Sequence, residues 1–395
     1  MRTHAAPMGG PLITPATRLF AGLFGLGAIA IAWRLLAGLG SATALNDGYP
    51  LGLWIAFDVV TGAALACGGY AVGILVYILN KGKYHPVMRP AMVTSALGYT
   101  LAGVGVGLDV GRWWSLWRVP LFFWRWNFNS ALLEVALCIM AYIAILWLRL
   151  APALLEPYLS GADSPWRRRA TTFSRIIDKL SVPMIAFGLV LATMHQSSLG
   201  TLMLLAGSRL HVLWRTPLLP LMFLVSCISM GYAVVVFESA FSSVAFKRKP
   251  EIDMLAGLAG AMVPTLWIVI ALRVGDLLWR GQFGALFAGD GRSVMATLEV
   301  VFFLVPVVML ASPAQRHDLG NLVRASMAMI FAGALFRFDT FLVAFMPGAN
   351  WRYFPSVSEM AVTIGLVAFE VLAYIIIVKT FPILSGHTLP ERQAV

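Results

Sequence analysis

The chain of 395 residues has 59% hydrophobic and only 12% charged side chains, at a mean hydropathy of +0.82, whereas a soluble domain carries about 25% charged residues. This composition excludes an ordinary soluble enzyme, a disordered chain and a secreted disulfide scaffold, and leaves a polytopic membrane protein. The net charge of +11 does not indicate nucleic acid, because the basic residues are scattered over short connections and form no continuous basic face.

Residues 1–17 lack the charged start, short apolar run and small-residue cleavage site of a signal peptide. The first apolar stretch is therefore expected to remain as an anchor. A span needs about 20 predominantly apolar residues. Ten stretches qualify, near 18–38, 53–79, 90–110, 129–150, 180–196, 217–240, 254–273, 294–312, 321–341 and 358–380. The fifth is the weakest: Asp178 and Lys179 stand at its start, and the polar run His195-Gln196-Ser197-Ser198 is expected to end it. Residues 199–207 then read as a surface or re-entrant piece. The expected fold is an all-α polytopic transmembrane bundle of about ten spans. Cys67, Cys138 and Cys227 lie inside apolar stretches without paired spacing and read as small buried residues.

Lysine and arginine set orientation. With ten spans, both termini share a side with the connections near 80–89, 149–179, 241–253 and 313–324. That side carries 18 of the 29 basic residues against eight on the other, including Arg167, Arg168, Arg169 and Lys247-Arg248-Lys249. Both termini, a segment 1–17 and a tail 385–395, are thus expected in the cytoplasm.

Ionisable residues inside a bilayer are costly and mark partners or function. Those in or at the edges of spans are Asp58, Asp109, Glu134, Glu238, Asp276, Glu299, Arg337, Asp339 and Glu370. On this topology most gather toward the outer side, with Asp58 and Glu134 early in outward-starting spans, and Asp109 with Arg112 and His195 at outward span ends. The structural alternative is helix caps and ion pairs, Arg337 with Asp339 or Arg112 with Asp109. Glu238 and Glu370 lie deeper or further inward, and with Glu134 could line a proton pathway; the alternative is neutral acids bonded to neighbouring hydroxyls. Only His195 among the six histidines touches a span, so no haem is expected, and no metal site or nucleotide motif is present.

Several longer words resemble a known family. These are NDGYPLGLWIAFD at 46–58, ACGGYA at 66–71, KYHPVMRPA at 83–91, GLDVGRWW at 107–114, TMHQSSLGTLM at 193–203, FAGD at 287–290 and YFPS at 353–356. In this order they are similar to the polysulfide-reductase/NrfD-like membrane quinone subunits, and within them to the membrane subunits of hydrogenase-2-type uptake [NiFe] hydrogenases. The resemblance implies a bundle over 18–384 in the bacterial inner membrane that binds quinone, menaquinone or ubiquinone, near the periplasmic face. It implies no haem and no iron–sulfur cluster in this chain. The implied partners are a periplasmic ferredoxin-like iron–sulfur subunit and the large and small hydrogenase subunits. Asp58, Tyr99, Asp109, Arg112, Glu134, His195 and Glu238 match the family's polar positions, and Tyr99, Glu134, His195 and Glu238 would serve quinone binding or proton movement. Other partners of such a module are polysulfide, sulfite or molybdopterin enzymes or an alternative quinol oxidoreductase. Outside that class, an ion transporter or a purely structural anchor would also bury carboxylates.

Overall fold

The computed structural model describes residues 5–159 and 164–384; His4, His387 and the tail 385–395 lie outside the described residues. Among the described residues ten helices are long and apolar enough to cross a membrane: Pro15–Ala37, Trp54–Ile78, Gly82–Asp109, Ala131–Leu159, Ser181–Leu204, Leu219–Ala245, Ile252–Trp279, Gly291–Met309, Leu319–Val343 and Val357–Thr380. They are called the first to tenth spans, and together they form a multi-pass all-α bundle. The backbone N–H of Ala6 donates to Leu384 O, and that of Met8 to Val378 O. Both described ends of the chain therefore sit at one end of the bundle, the proximal end; the opposite one is distal.

Spans two to five pack as one four-helix group and spans six to nine as another, with the second and sixth spans at the seam. These two are the most buried spans, and the first is the least. Small residues make the seam tight. The second span consists of two wide π-type segments, Trp54–Thr61 and Ile74–Ile78, around short α-helices Gly62–Leu65 and Gly68–Gly73. Its break at Ala66-Cys67 is held by close neighbours: a Cβ on Gly231 would fall 2.5 Å from Cys67 O, and one on Gly98 would fall 2.6 Å from Ala66 Cβ. Such π segments recur at functional sites in helices, and a third one, Asp339–Val343, ends the ninth span.

The first span lies outside both groups and packs on the tenth. Backbone meets backbone there, since a Cβ on Gly27 would come 2.5 Å from Gly365 Cα. Close approach of small residues is how helices associate in lipid, where no hydrophobic drive separates them from the solvent. Gly27→Val is expected to force these spans apart at an overpacking cost of about 1–3 kcal/mol, read as a lower thermal midpoint in detergent. A midpoint unchanged from the parent would mean that the first span floats free of the tenth.

Two expectations are corrected. The fifth span does not end at the polar run; it continues to Leu204 and absorbs most of 199–207. Ser197 and Ser198 return their hydroxyls to the carbonyls of Thr193 and Met194, and His195 and Gln196 turn into the bundle, so the run stays helical. The third span begins earlier than expected, with His85 in its opening 3₁₀ turn. The basic connection before the fifth span also contains a helix, Pro165–Lys179, capped by Ser164, whose side chain accepts from Arg167 N–H. Its arginines and exposed Trp166 suit a helix lying at a membrane surface.

Candidate functional site

The deepest polar cluster forms where spans two, three, five, six and nine meet. Tyr99 is mid-way along the third span, ten residues and about 15 Å of helix before Asp109. Its hydroxyl lies 3.4 Å from His195 Nδ1 and 3.5 Å from Cys67 Sγ, and it accepts from Gln196 Nε2 at 3.5 Å. These contacts are at the long limit of hydrogen bonding, and the ring is fixed instead by Tyr142, edge-on at 4.5 Å. Gln196 Oε1 accepts from Arg337 Nη2 at 3.3 Å. Arg337 also donates to Ser226 Oγ at 3.1 Å and to Phe223 O at 3.0 Å. Tyr99, His195, Gln196, Ser226 and Arg337 are all at 0% exposure.

Two atoms of this cluster are unsatisfied. His195 Nε2 and Arg337 Nε are buried without a hydrogen-bond partner. Among the described residues the Arg337 guanidinium pairs with no carboxylate; its partners are an amide, a hydroxyl, a thioether and carbonyls. A buried cation without a counter-ion is costly and is retained where a ligand meets it. The cluster therefore offers an imidazole, a phenol, an amide and a guanidinium to an electron-rich, hydrogen-bond-accepting group.

Asp58 and Asp109 are nearer the distal end. Asp58 sits in the first π segment and accepts from the Thr363 hydroxyl at 2.7 Å. Arg34, not Arg112, faces Asp109: its guanidinium donates to Leu108 O and Val110 O at 2.7 and 2.8 Å. Glu359 completes this rim by accepting from Tyr353 Oη and from the backbone N–H groups of Ala44 and Ser356. Burial and the Glu359 carboxylate push the Tyr353 phenol above its ordinary range. Arg112 is exposed on the distal connection, and Glu134 is half-buried in the first turn of the fourth span. The structure does not bring either into the cluster.

Toward the proximal end Glu238 Oε2 accepts from the Thr94 hydroxyl at 2.7 Å, with Tyr374 and Glu370 as neighbours. A proximal cleft of about 40 Å³ reaches Glu238 and Tyr374 between Pro86, Ser242 and Arg248, which is room for a water or two. Glu134 stands at the other end of its span, so the carboxylates do not form one line.

A separate polar centre lies in the second helix group. Arg273 Nη2 meets Glu299 Oε2 at 2.8 Å, Arg273 Nη1 donates to Leu213 O, and Trp214 Nε1 donates to Glu299 Oε1 at 2.7 Å. Asp276 is held by Arg280 and Thr216. Neither anticipated ion pair forms, since Arg337 turns away from Asp339 and Arg112 from Asp109. The sequence carries no signal for Gln196, Ser226, Trp214 and Arg273 as partners, because they come from distant parts of the chain. A signal existed only for Glu359, in the capping box Ser356-x-x-Glu359.

The profile described as Polysulphide reductase, NrfD matches residues 43–346. The chain is 38% identical, over 96% of its length and 94% of the relative's, to the "Probable Ni/Fe-hydrogenase 2 b-type cytochrome subunit" of Escherichia coli (strain K12). It is 26% identical to the "Menaquinone reductase, integral membrane subunit" of Nitratidesulfovibrio vulgaris, over 94% of this chain and 91% of that one. It is 22% identical to the "Hdr-like menaquinol oxidoreductase integral membrane subunit" of Archaeoglobus fulgidus, over 83% of each. The name of the E. coli relative corrects one expectation: a b-type cytochrome subunit implies a haem, so the expected absence of haem does not stand. His195 Nε2, buried and unpartnered, is an atom within the bundle that would be able to ligate such a group, while His85 is exposed at the proximal end. With the profile covering most of the chain and a relative at 38% identity along nearly all of it, the chain belongs to the NrfD polysulphide reductase family.

Proposed function

We propose that this chain is the membrane quinone-binding subunit of an oxidoreductase complex, exchanging electrons between a periplasmic [NiFe] hydrogenase and the membrane quinone pool. The single observation that carries the reading is the buried Arg337 guanidinium beside Tyr99, His195 and Gln196, without a carboxylate to neutralise it. A quinone head group presents two carbonyl oxygens that gain negative charge on reduction, and these donors suit them. The menaquinone names of two relatives support the substrate, and the hydrogenase name of the E. coli relative supports the donor. Electrons would enter through a ferredoxin-like iron–sulfur subunit at the distal, periplasmic face. Both termini would lie in the cytoplasm of a bacterium, with the chain in its inner membrane.

Reduction of one quinone takes two electrons and two protons. His195 is the group in the cluster that can bond a carbonyl oxygen and pass a proton; Tyr99 orients it from Nδ1. Asp58 and Asp109 line the distal approach. Where a haem is bound, it supplies one-electron transfer, with His195 Nε2 as the atom able to ligate it. Glu238, which lines the proximal cleft, and its neighbour Glu370 would supply protons from the cytoplasm. In vesicles, Glu238→Gln is expected to lower the number of protons moved per electron while electron transfer persists. An unchanged ratio would remove Glu238 from the path.

Purification of the chain in mild detergent tests the assignment of partner. Co-purification of hydrogenase subunits with hydrogen-dependent quinone reduction is the expected result. Co-purification of a different iron–sulfur oxidoreductase would move the same module to another electron donor, the reading favoured by the menaquinone reductase relative. A chain that purifies alone and transports an ion would sink both.

A further inference from the structure

We infer that Asp339 and Glu299 form an acid pair that holds one exchangeable proton in the second helix group, a site separate from the Tyr99–His195–Arg337 cluster. Glu299 is fully buried on the eighth span, and each of its oxygens receives a donor, from Trp214 Nε1 and from Arg273 Nη2. One guanidinium therefore matches one carboxylate. Asp339 is also at 0% exposure, at the start of the π segment that ends the ninth span. Neither of its oxygens has a hydrogen-bond donor, and its interacting ionisable neighbours are Glu299 and Arg273. A second negative charge there would face Glu299 with no cation of its own. Two acids so placed with one guanidinium retain one proton between them, as like charges in a shared site must.

The other charged groups packed around the pair are committed elsewhere. Arg337, two residues before Asp339, is directed at Gln196, Ser226 and Phe223 O. The Phe223 and Phe336 rings, 5.2 Å apart, stand between the two arginines, with Arg337 over the first and Arg273 over the second. On the seventh span Asp276 is held by Arg280 and Thr216, and Arg292 of the eighth span donates to Val343 O. A bound sodium ion would have to sit beside Arg273, whose positive charge opposes it; a proton needs no coordination shell. Asp339 is one π segment away from the distal connection at Ala344, so the route for exchange is short.

The test uses the full chain in phosphatidylcholine nanodiscs at neutral pH. Infrared spectra of the parent are expected to contain a carboxylic-acid carbonyl band that Asp339→Asn lacks, that shifts on transfer to D2O, and that is the same in sodium chloride and choline chloride. A second readout keeps the inference open to failure independently of that band. Asn replaces a neutral acid nearly isosterically, so Asp339→Asn should leave the thermal midpoint close to the parent's. Glu299→Gln removes the acceptor of both Trp214 and Arg273, leaving Asp339, which holds neither donor, as the remaining counter-ion, and should lower the midpoint clearly. Identical carbonyl bands in parent and Asp339→Asn, a band abolished by sodium, or equal losses of midpoint in the two variants would each overturn the inference.

Discussion

Replacing His195 by alanine is expected to lower quinone reduction by the purified complex about 100-fold or more, the scale of a lost proton-transfer group, with insertion and assembly intact. The imidazole is fully buried, and its Nε2 has no partner in the protein while Nδ1 is steered by Tyr99. Removing it therefore breaks few contacts that hold the bundle, and the loss should fall on turnover. Tyr99→Phe removes the long hydroxyl contacts to His195, Cys67 and Gln196, of which the first orients the imidazole, and should cost less than His195→Ala. Quinone reduction is assayed with the complex's own electron donor, and assembly by gel filtration. The visible spectrum of the same samples separates two uses of the imidazole, because a haem ligated at Nε2 would lose its absorption band in His195→Ala. Full quinone reduction in an assembled His195→Ala complex would exclude the residue from the site.

Arrangement in the chain explains why some of this could be read without a structure and some could not. The ten spans are legible because each is a long apolar run, and the bilayer permits only helices that satisfy their own backbone. His195 and Asp58 stand out because ionisable residues in such runs are rare. What such reasoning cannot supply is which helix face meets which. Proximity in sequence suggests pairing Arg337 with Asp339, two residues away, yet residues i and i+2 point to different sides of a helix. Its side-chain partners are 107 to 141 residues distant, on spans five and six. The expected early end of the fifth span fails for a related reason. Polarity normally ends a span, but here the serines are satisfied by their own helix, while Gln196 meets Arg337 and His195 Nδ1 meets Tyr99 on neighbouring spans. Glu134 and Arg112 illustrate the reverse: both match polar positions of the family, and both are left at the distal periphery.

The two buried arginine centres are chemically unequal, and this sets the second large effect. At the seam between the helix groups the guanidinium of Arg337 is uncompensated, so the protein carries a destabilising charge at the site assigned to the substrate. Within the second group, Arg273 and Glu299 compensate one another with side-chain exposures of 3% and 0%. Breaking a buried pair by removing one member costs about 3–5 kcal/mol, because the remaining charge is stranded. Arg273→Met should accordingly be the most destabilising of the substitutions considered, leaving the Glu299 carboxylate with only the Trp214 indole. The double variant Arg273→Met/Glu299→Gln removes both charges and should recover much of the loss. Arg89 and Glu156 provide the control, since their 2.7 Å pair is 43% and 40% exposed and such surface pairs contribute about 0–1 kcal/mol. Thermal midpoints of Arg273→Met, the double variant and Arg89→Ala in one detergent rank the three. If Arg273→Met proves as mild as Arg89→Ala, water reaches the Arg273–Glu299 pair and the dry environment assigned to that centre is wrong.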